Sequence, residues 1–268
     1  MSTSRRSRAW GRRLRSAGFV VFATVLAAAL ASHAGQSATT RTYTGCPRLS
    51  EAASLPVRTG GGRLRGDIDG DRRLDRVTIR YAASARASCG FILMARTARR
   101  VVSATLPEWY KPPDDPLIRD WSFPEPYLAA IVQLGARRSQ VVVARWHGAS
   151  VAVVGLYGLA SGRLVPLRFH PRTYRDTLSL FGTVGTGSTY ARCVRGGPLI
   201  VIGLWPRDSS GEHWAASRSA YRLAGAGLWR ARTRKVEGSR QRIESLAHRW
   251  GVDAAPFTSC VVARGRRL

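Results

Sequence analysis

The sequence predicts an all-β protein built from three antiparallel β-meander units and closed by one C-terminal helix. Three observations carry that prediction. Short apolar runs rich in β-branched and aromatic residues recur along most of the chain, separated by Gly, Ser or Arg turns. Triplets of these runs repeat at a similar spacing. A helical period appears in one place only, near the C-terminus.

The chain opens with Arg5, Arg6, Arg8, Arg12, Arg13 and Arg15, followed by the apolar run "AGFVVFATVLAAALA". Basic flank and apolar core together are a targeting signal. The run is shorter than the roughly 20 residues a spanning helix needs, and Ser32 and Ala34 are small residues of the kind a signal peptidase reads. The expectation is a signal peptide over 1–34, cleaved after Ala34, with no membrane span once it is removed and a secreted or cell-surface location. Residues 35–66 then form an exported N-terminal segment, and 67–268 a single β domain.

Within that domain the runs "RVTIRY", "CGFILMA" and "VVSATL" make the first meander unit, 67–106. "QVVVARW", "VAVVGLYGL" and "RLVPLRF" make the second, within 127–169, with "YLAAIVQL" standing before them. "PLIVIGLW", "SRSAYRL" and "LWRARTRKV" make the third, 187–236, with "LSLFGTV" standing before it. The length allows a compact or incomplete propeller, or a sandwich. Between the first two units, "LPEWYKPPDDPLIRDWSFPEPY" holds six of the thirteen prolines and several aromatics; prolines at that density exclude an internal strand or helix. Such a segment either straps over one end of the domain or presents aromatics to a partner. At the C-terminus, Ile243, Leu246, Ala247 and Trp250 recur at spacings of three and four, Ser239 is placed to cap the start and Gly251 to end it. A helix over 240–250 follows.

Cys46, Cys89, Cys193 and Cys260 form an even set without any CxxC pair, which in an exported chain reads as two disulfides. Cys46 with Cys89 and Cys193 with Cys260 is the favoured pairing among three possible ones.

The charge is lopsided: 43 Lys and Arg against 16 Asp and Glu, a formal +27. A surplus of this size draws a protein towards polyanions, and an extracellular or cell-wall polyanion is the expected partner class. The arginines are scattered in ones and twos and do not form a stripe interleaved with aromatics, so a specific nucleic-acid interface is not expected.

Against that background, "GDIDGDRRLDRVTI" places four of the sixteen acids, Asp67, Asp69, Asp71 and Asp75, within nine positions. Like charges so close repel one another and raise each other's pKa unless a cation is shared. Calcium takes six to eight hard oxygen ligands, and a tight loop turning alternate carboxylates inwards supplies them, with the backbone carbonyl of Arg73 as a fifth ligand. Thr78 stands where an EF-hand would carry Glu, and a strand follows where it would have a helix, so the loop is not an EF-hand. Arg72, Arg73 and Arg76 flank the carboxylates, and a metal-free turn paired to these guanidinium groups is the alternative.

"DIDGDRRLDRVTI" resembles the acidic loop and following strand of FG-GAP or VCBS-type repeats, the calcium-bearing blades of integrin alpha-chain propellers and of many secreted bacterial proteins. The resemblance covers about thirteen residues and departs from the family at Arg72, where Gly is usual. It implies that Asp67, Asp69, Asp71 and Asp75 are side-chain ligands of a structural calcium ion that pins the turn entering a meander.

Catalytic signatures are absent from the sequence: there is no HExxH, no GxSxG elbow and no P-loop. "GTVGTGS" suits a flexible hairpin, Asp114 and Asp115 are adjacent in the proline-rich segment, and Trp146 with His147 sits at a strand end. The expected function is therefore an exported, calcium-stabilised binding or cell-surface module, not an enzyme. The second reading is a secreted hydrolase or lyase acting on an acidic polysaccharide or other polyanion.

Overall fold

A computed structural model describes residues 48–58, 61–81, 90–106, 125–147, 151–171, 177–181 and 187–266, with only the backbone of 146–147. The leader, Cys46 and Cys89 with their expected bond, Asp114 and Asp115, most of the proline-rich segment and most of "GTVGTGS" lie outside the described residues.

Strand-forming runs pair into two sheets. β1 (Arg63–Gly66), β2 (Asp75–Tyr81), β3 (Phe91–Arg96) and β4 (Val101–Leu106) form an antiparallel sheet in sequence order. The period of two sets its faces. Leu64, Val77, Ala95 and Val102 stand opposite one another across all four strands and are buried, whereas the next row, Arg65, Arg76 and Arg96, faces solvent. A short 3-10 helix, Leu49–Ser54, packs Ala52 with Leu55 against Ile92 and Met94 on the outer side.

The second sheet has eleven strands: β5 (Tyr127–Val132), β6 (Gln140–His147), β7 (Val151–Ala160), β8 (Arg163–Pro166), β9 (Arg168–His170), β10 (Thr177–Phe181), β11 (Ser188–Cys193), β12 (Leu199–Pro206), β13 (His213–Ala224), β14 (Gly227–Ser239) and β15 (Val261–Arg264). Their spatial order is β15-β5-β6-β7-β10-β11-β12-β13-β14-β9, with β8 also on β7. β8 and β9 are one run interrupted at Leu167. β8 pairs antiparallel with β7, and β9 pairs parallel with β14, so the sheet returns on itself and closes a barrel from β7 to β14. Leu167 N–H donates to Leu156 and Arg168 N–H to Ala226, which marks where the run passes from one partner to the other.

β5, β6 and β7 are shared by two cores, and their sequences show it. On β6, Val141 and Val143 pack with Leu64, Ile79 and Leu93 of the first sheet, while Val142 and Ala144 pack with Phe169, Leu199 and Tyr221 in the barrel. A strand covered on both faces needs an unbroken apolar run, which is why "QVVVA" and "VAVVGLYGLA" do not alternate.

The chain leaves β14 directly into α1 (Arg240–Trp250). The Ser239 side chain accepts from the Arg242 N–H, and Gly251 ends the helix in the left-handed region at φ 86°. Ile243, Leu246 and Ala247 are the buried stripe, laid over the outer face of β12, β13 and β14. No helix among the described residues is long and apolar enough to cross a membrane.

The all-β class with a single C-terminal helix is what the sequence predicts, with three differences in organisation. Only the first meander stands as its own sheet. The second and third run into one, because β10 bonds to β7 on one side and β11 on the other. The packing is a sheet laid on a barrel. The β domain also begins before Asp67, since β1 and the 3-10 helix belong to it.

Candidate metal loop

The acidic loop closes the β1–β2 hairpin, whose last paired residues are Gly66 and Asp75. Local chemistry builds it. Asp67 accepts from Gly70 N–H at 2.6 Å through Oδ1 and from Arg72 N–H at 2.9 Å through Oδ2. Asp69 accepts from Asp71 N–H at 3.2 Å, and Asp71 from Arg73 N–H at 2.8 Å. Each aspartate thus folds the backbone a few residues ahead of it. Gly70 at φ 87° and Arg72 at φ 66° supply the left-handed turns. Arg72 thus adopts the left-handed backbone that Gly usually supplies.

The loop is pinned from three sides. Ile68 is fully buried in the core between the sheets. Ser139 N–H, in the β5–β6 connection, donates to the Asp67 carbonyl at 2.7 Å. A Cβ on Gly70 would stand 3.1 Å from Cγ of Arg138, so the two loops are in close contact. Gln140, itself buried, holds that second loop by accepting from Leu134 N–H and donating to the Arg138 carbonyl, both at 2.7 Å.

This architecture gathers Asp67, Asp69 and Asp71, each half-buried, so that one carboxylate oxygen from each lies within 4.8 Å of the others. Asp75 is placed differently. It is buried, and its Oδ2 accepts from Ile68 N–H at 2.8 Å and Asp69 N–H at 3.4 Å, bracing the base of the loop. Burial raises its pKa above the ordinary 3.8; the Ile68 N–H opposes this, and the charges of Asp69 and Asp71 add to the rise. Arg73 contributes its N–H to Asp71 within the turn. Among the described residues no guanidinium pairs with any of the four aspartates.

Beside the loop, Arg137 and Arg138 form one wall of an open recess of about 700 Å3 at the barrel mouth, with Leu159, Leu167 and Leu223 among its apolar lining. These residues come from four separate places in the chain, the β5–β6 connection, β7, the break at Leu167 and β13, and no local pattern announces them. The remaining histidines are dispersed. His170 stacks on Trp229 with centroids 4.0 Å apart, and His248 bonds to Asp253 at 2.8 Å.

Cys193 and Cys260 are disulfide-bonded, with Cα atoms 5.5 Å apart. The bond fastens the segment leading into β15 to the end of β11, where Phe257 N–H also donates to the Ala191 carbonyl at 3.1 Å.

No family model, curated protein or solved structure matches this chain. The likeness to FG-GAP and VCBS loops accordingly rests on residues 67–79 alone.

Proposed function

We propose that this chain is an exported, calcium-stabilised β protein that acts as a binding or cell-surface-associated module for an extracellular polyanion. The observation that carries the calcium reading is the convergence of Asp67, Asp69 and Asp71, with no guanidinium paired to them among the described residues. Three carboxylates on a short loop are a hard-oxygen donor set, and flexible geometry with backbone and water oxygens completing the shell suits calcium. Asp75 positions the loop from below.

The role is structural. The loop joins β1 to β2 and leans on the β5–β6 connection, so a cation there stiffens the junction between the two sheets. The excess of basic residues supports the polyanion partner. The second reading, a hydrolase or lyase of acidic polymers, requires an acid and base facing one bond. Three recesses among the described residues are instead lined by arginine and apolar side chains with Gln140, Ser161 and Thr233, and hold no paired acid and base.

The test is thermal unfolding of the purified protein in calcium and in chelator. At calcium about a hundredfold above Kd, stabilisation is about 2.7 kcal/mol, a rise of roughly 5 to 10 °C for a domain of this size. Asp67→Ala combined with Asp71→Ala abolishes the rise. Equal midpoints in calcium and chelator for the unaltered protein overturn the reading.

A further inference from the structure

α1 covers only part of the outer face of the β12–β14 sheet. Beyond its C-terminal end lies a recess of about 420 Å3, walled by Arg218, Arg232 and Arg234 from the hairpin and by Arg249 and Trp250 from the helix. Arg218 and Arg234 are direct cross-strand partners, and Arg232 stands opposite Ala220, on the same face. Like charges directly opposed in a sheet are destabilising by themselves.

Among the described residues, no acid pairs with these arginines. The acids carried by these elements are Glu237 in β14 and Glu244 in α1, with Asp253 just beyond. Glu237 pairs with Arg207 at 3.3 Å, Glu244 with Arg240 at 2.8 Å and Asp253 with His248 at 2.8 Å. Among the described residues, none of the four guanidinium groups in the recess has an ion pair or hydrogen bond. The negative end of the helix is also satisfied locally: Gly251 N–H bonds back to Ala247 and His248, and the Arg192 guanidinium holds the Gly251 carbonyl.

We propose that this recess is the anion-binding site of the module and takes the tetrahedral oxyanion groups, phosphate or sulfate, of a linear polymer. Four arginines lining one recess offer more donors and charge than one carboxylate can match, whereas successive phosphate or sulfate groups of a polymer each present two or three non-bridging oxygens around a tetrahedral centre. A polymer fits better than a lipid surface. Among the described residues, the large exposed apolar side chains, Leu49, Leu74, Val101, Val194, Trp229 and Val262, do not line the recess, and Trp250, which does, is half-buried, so the recess has no exposed apolar patch to insert into a bilayer. The proposal rests on the binding-module reading and gives that module its contact site; it is independent of calcium.

The experiment titrates fluorescein-labelled inorganic polyphosphate with the purified protein in chelator, at about 0.15 M salt, where charges more than about 8 Å apart are largely screened. Arg232→Gln with Arg234→Gln weakens binding about tenfold or more, and Arg249→Gln alone about threefold, because each removes charge-assisted bonds to the oxyanion. Arg65→Gln with Arg96→Gln removes the same charge from the other sheet and changes affinity less than about twofold. Dextran sulfate competes; polygalacturonate, a polycarboxylate, competes weakly. Equal losses from the two double variants would reduce the effect to net charge and overturn the proposal. Polygalacturonate competing as well as dextran sulfate overturns the ligand class. Binding to phosphatidylglycerol vesicles without binding to polyphosphate overturns the choice of a polymer. Because chelator is present throughout, loss of the calcium response in the thermal experiment leaves this result unaffected, and the two failures are separable.

Discussion

Asp75 reaches back across its own hairpin and accepts the buried N–H of Ile68 at 2.8 Å. The bond joins the first residue of β2 to the residue that anchors the loop in the core, so one carboxylate decides where the other three sit. Asp75→Ala leaves that N–H unsatisfied in a buried place, at a cost of about 1–3 kcal/mol. Asp75→Asn retains an acceptor oxygen and is expected to lose less than half as much. Denaturant midpoints of the two variants, measured in chelator, check the order.

The same carboxyl has a pH signature. Its folded pKa lies above the ordinary 3.8, first because it is buried. As pH rises through the unfolded value, the unfolded chain releases its proton while the folded one keeps it. In chelator this group therefore lowers stability across the window between the unfolded and the raised folded pKa, and its contribution is constant above that. Carbon-detected NMR titration should place Asp75 above 3.8. Asp69→Asn with Asp71→Asn should lower it by removing two neighbouring negative charges, and calcium should lower it further.

Much of this was legible in the sequence because it is local. Ser239 and Gly251 bracket a helix whose apolar spacing is visible, and Arg240–Trp250 is where it forms. The alternate aspartates of the loop read directly as inward-turning carboxylates; Asp67, Asp69 and Asp71 converge, while Asp75 is taken up by backbone N–H groups that spacing does not reveal. β1 carries no strand signal of its own, because "RLRG" holds one buried leucine among two arginines, and it is a strand through its pairing to β2. The break at Leu167, which closes the barrel, depends on β14 sixty residues later. The arginine recess is likewise non-local: its residues look scattered in sequence and meet only when α1 folds onto the hairpin.

The disulfide makes a separate prediction. Cys193 and Cys260 are 67 residues apart, and cross-linking a loop of that length restricts the unfolded chain by about 4 kcal/mol in the chain-entropy picture. Cys193→Ala with Cys260→Ala should lower stability by an amount of that order, read as a fall in the urea midpoint together with a steeper slope, because the unfolded chain without the cross-link exposes more surface. The loss should be felt at β15, which lies on β5 beyond the cross-link, as faster amide exchange there than in the four-stranded sheet.

Gly251 is required twice over. Its φ of 86° is costly for any residue with a Cβ, and a Cβ built there would come within 2.6 Å of Nη1 of Arg192, the group that caps its carbonyl. Gly251→Ala should therefore cost about 1–2 kcal/mol from the left-handed backbone alone, and displacing Arg192 adds to it. Arg192→Ala removes the clash but also the cap, so the double variant should lose less than the sum of the two single losses. A thermal-unfolding double-mutant cycle measures that difference, and additive losses would show that Arg192 and Gly251 do not act as one contact.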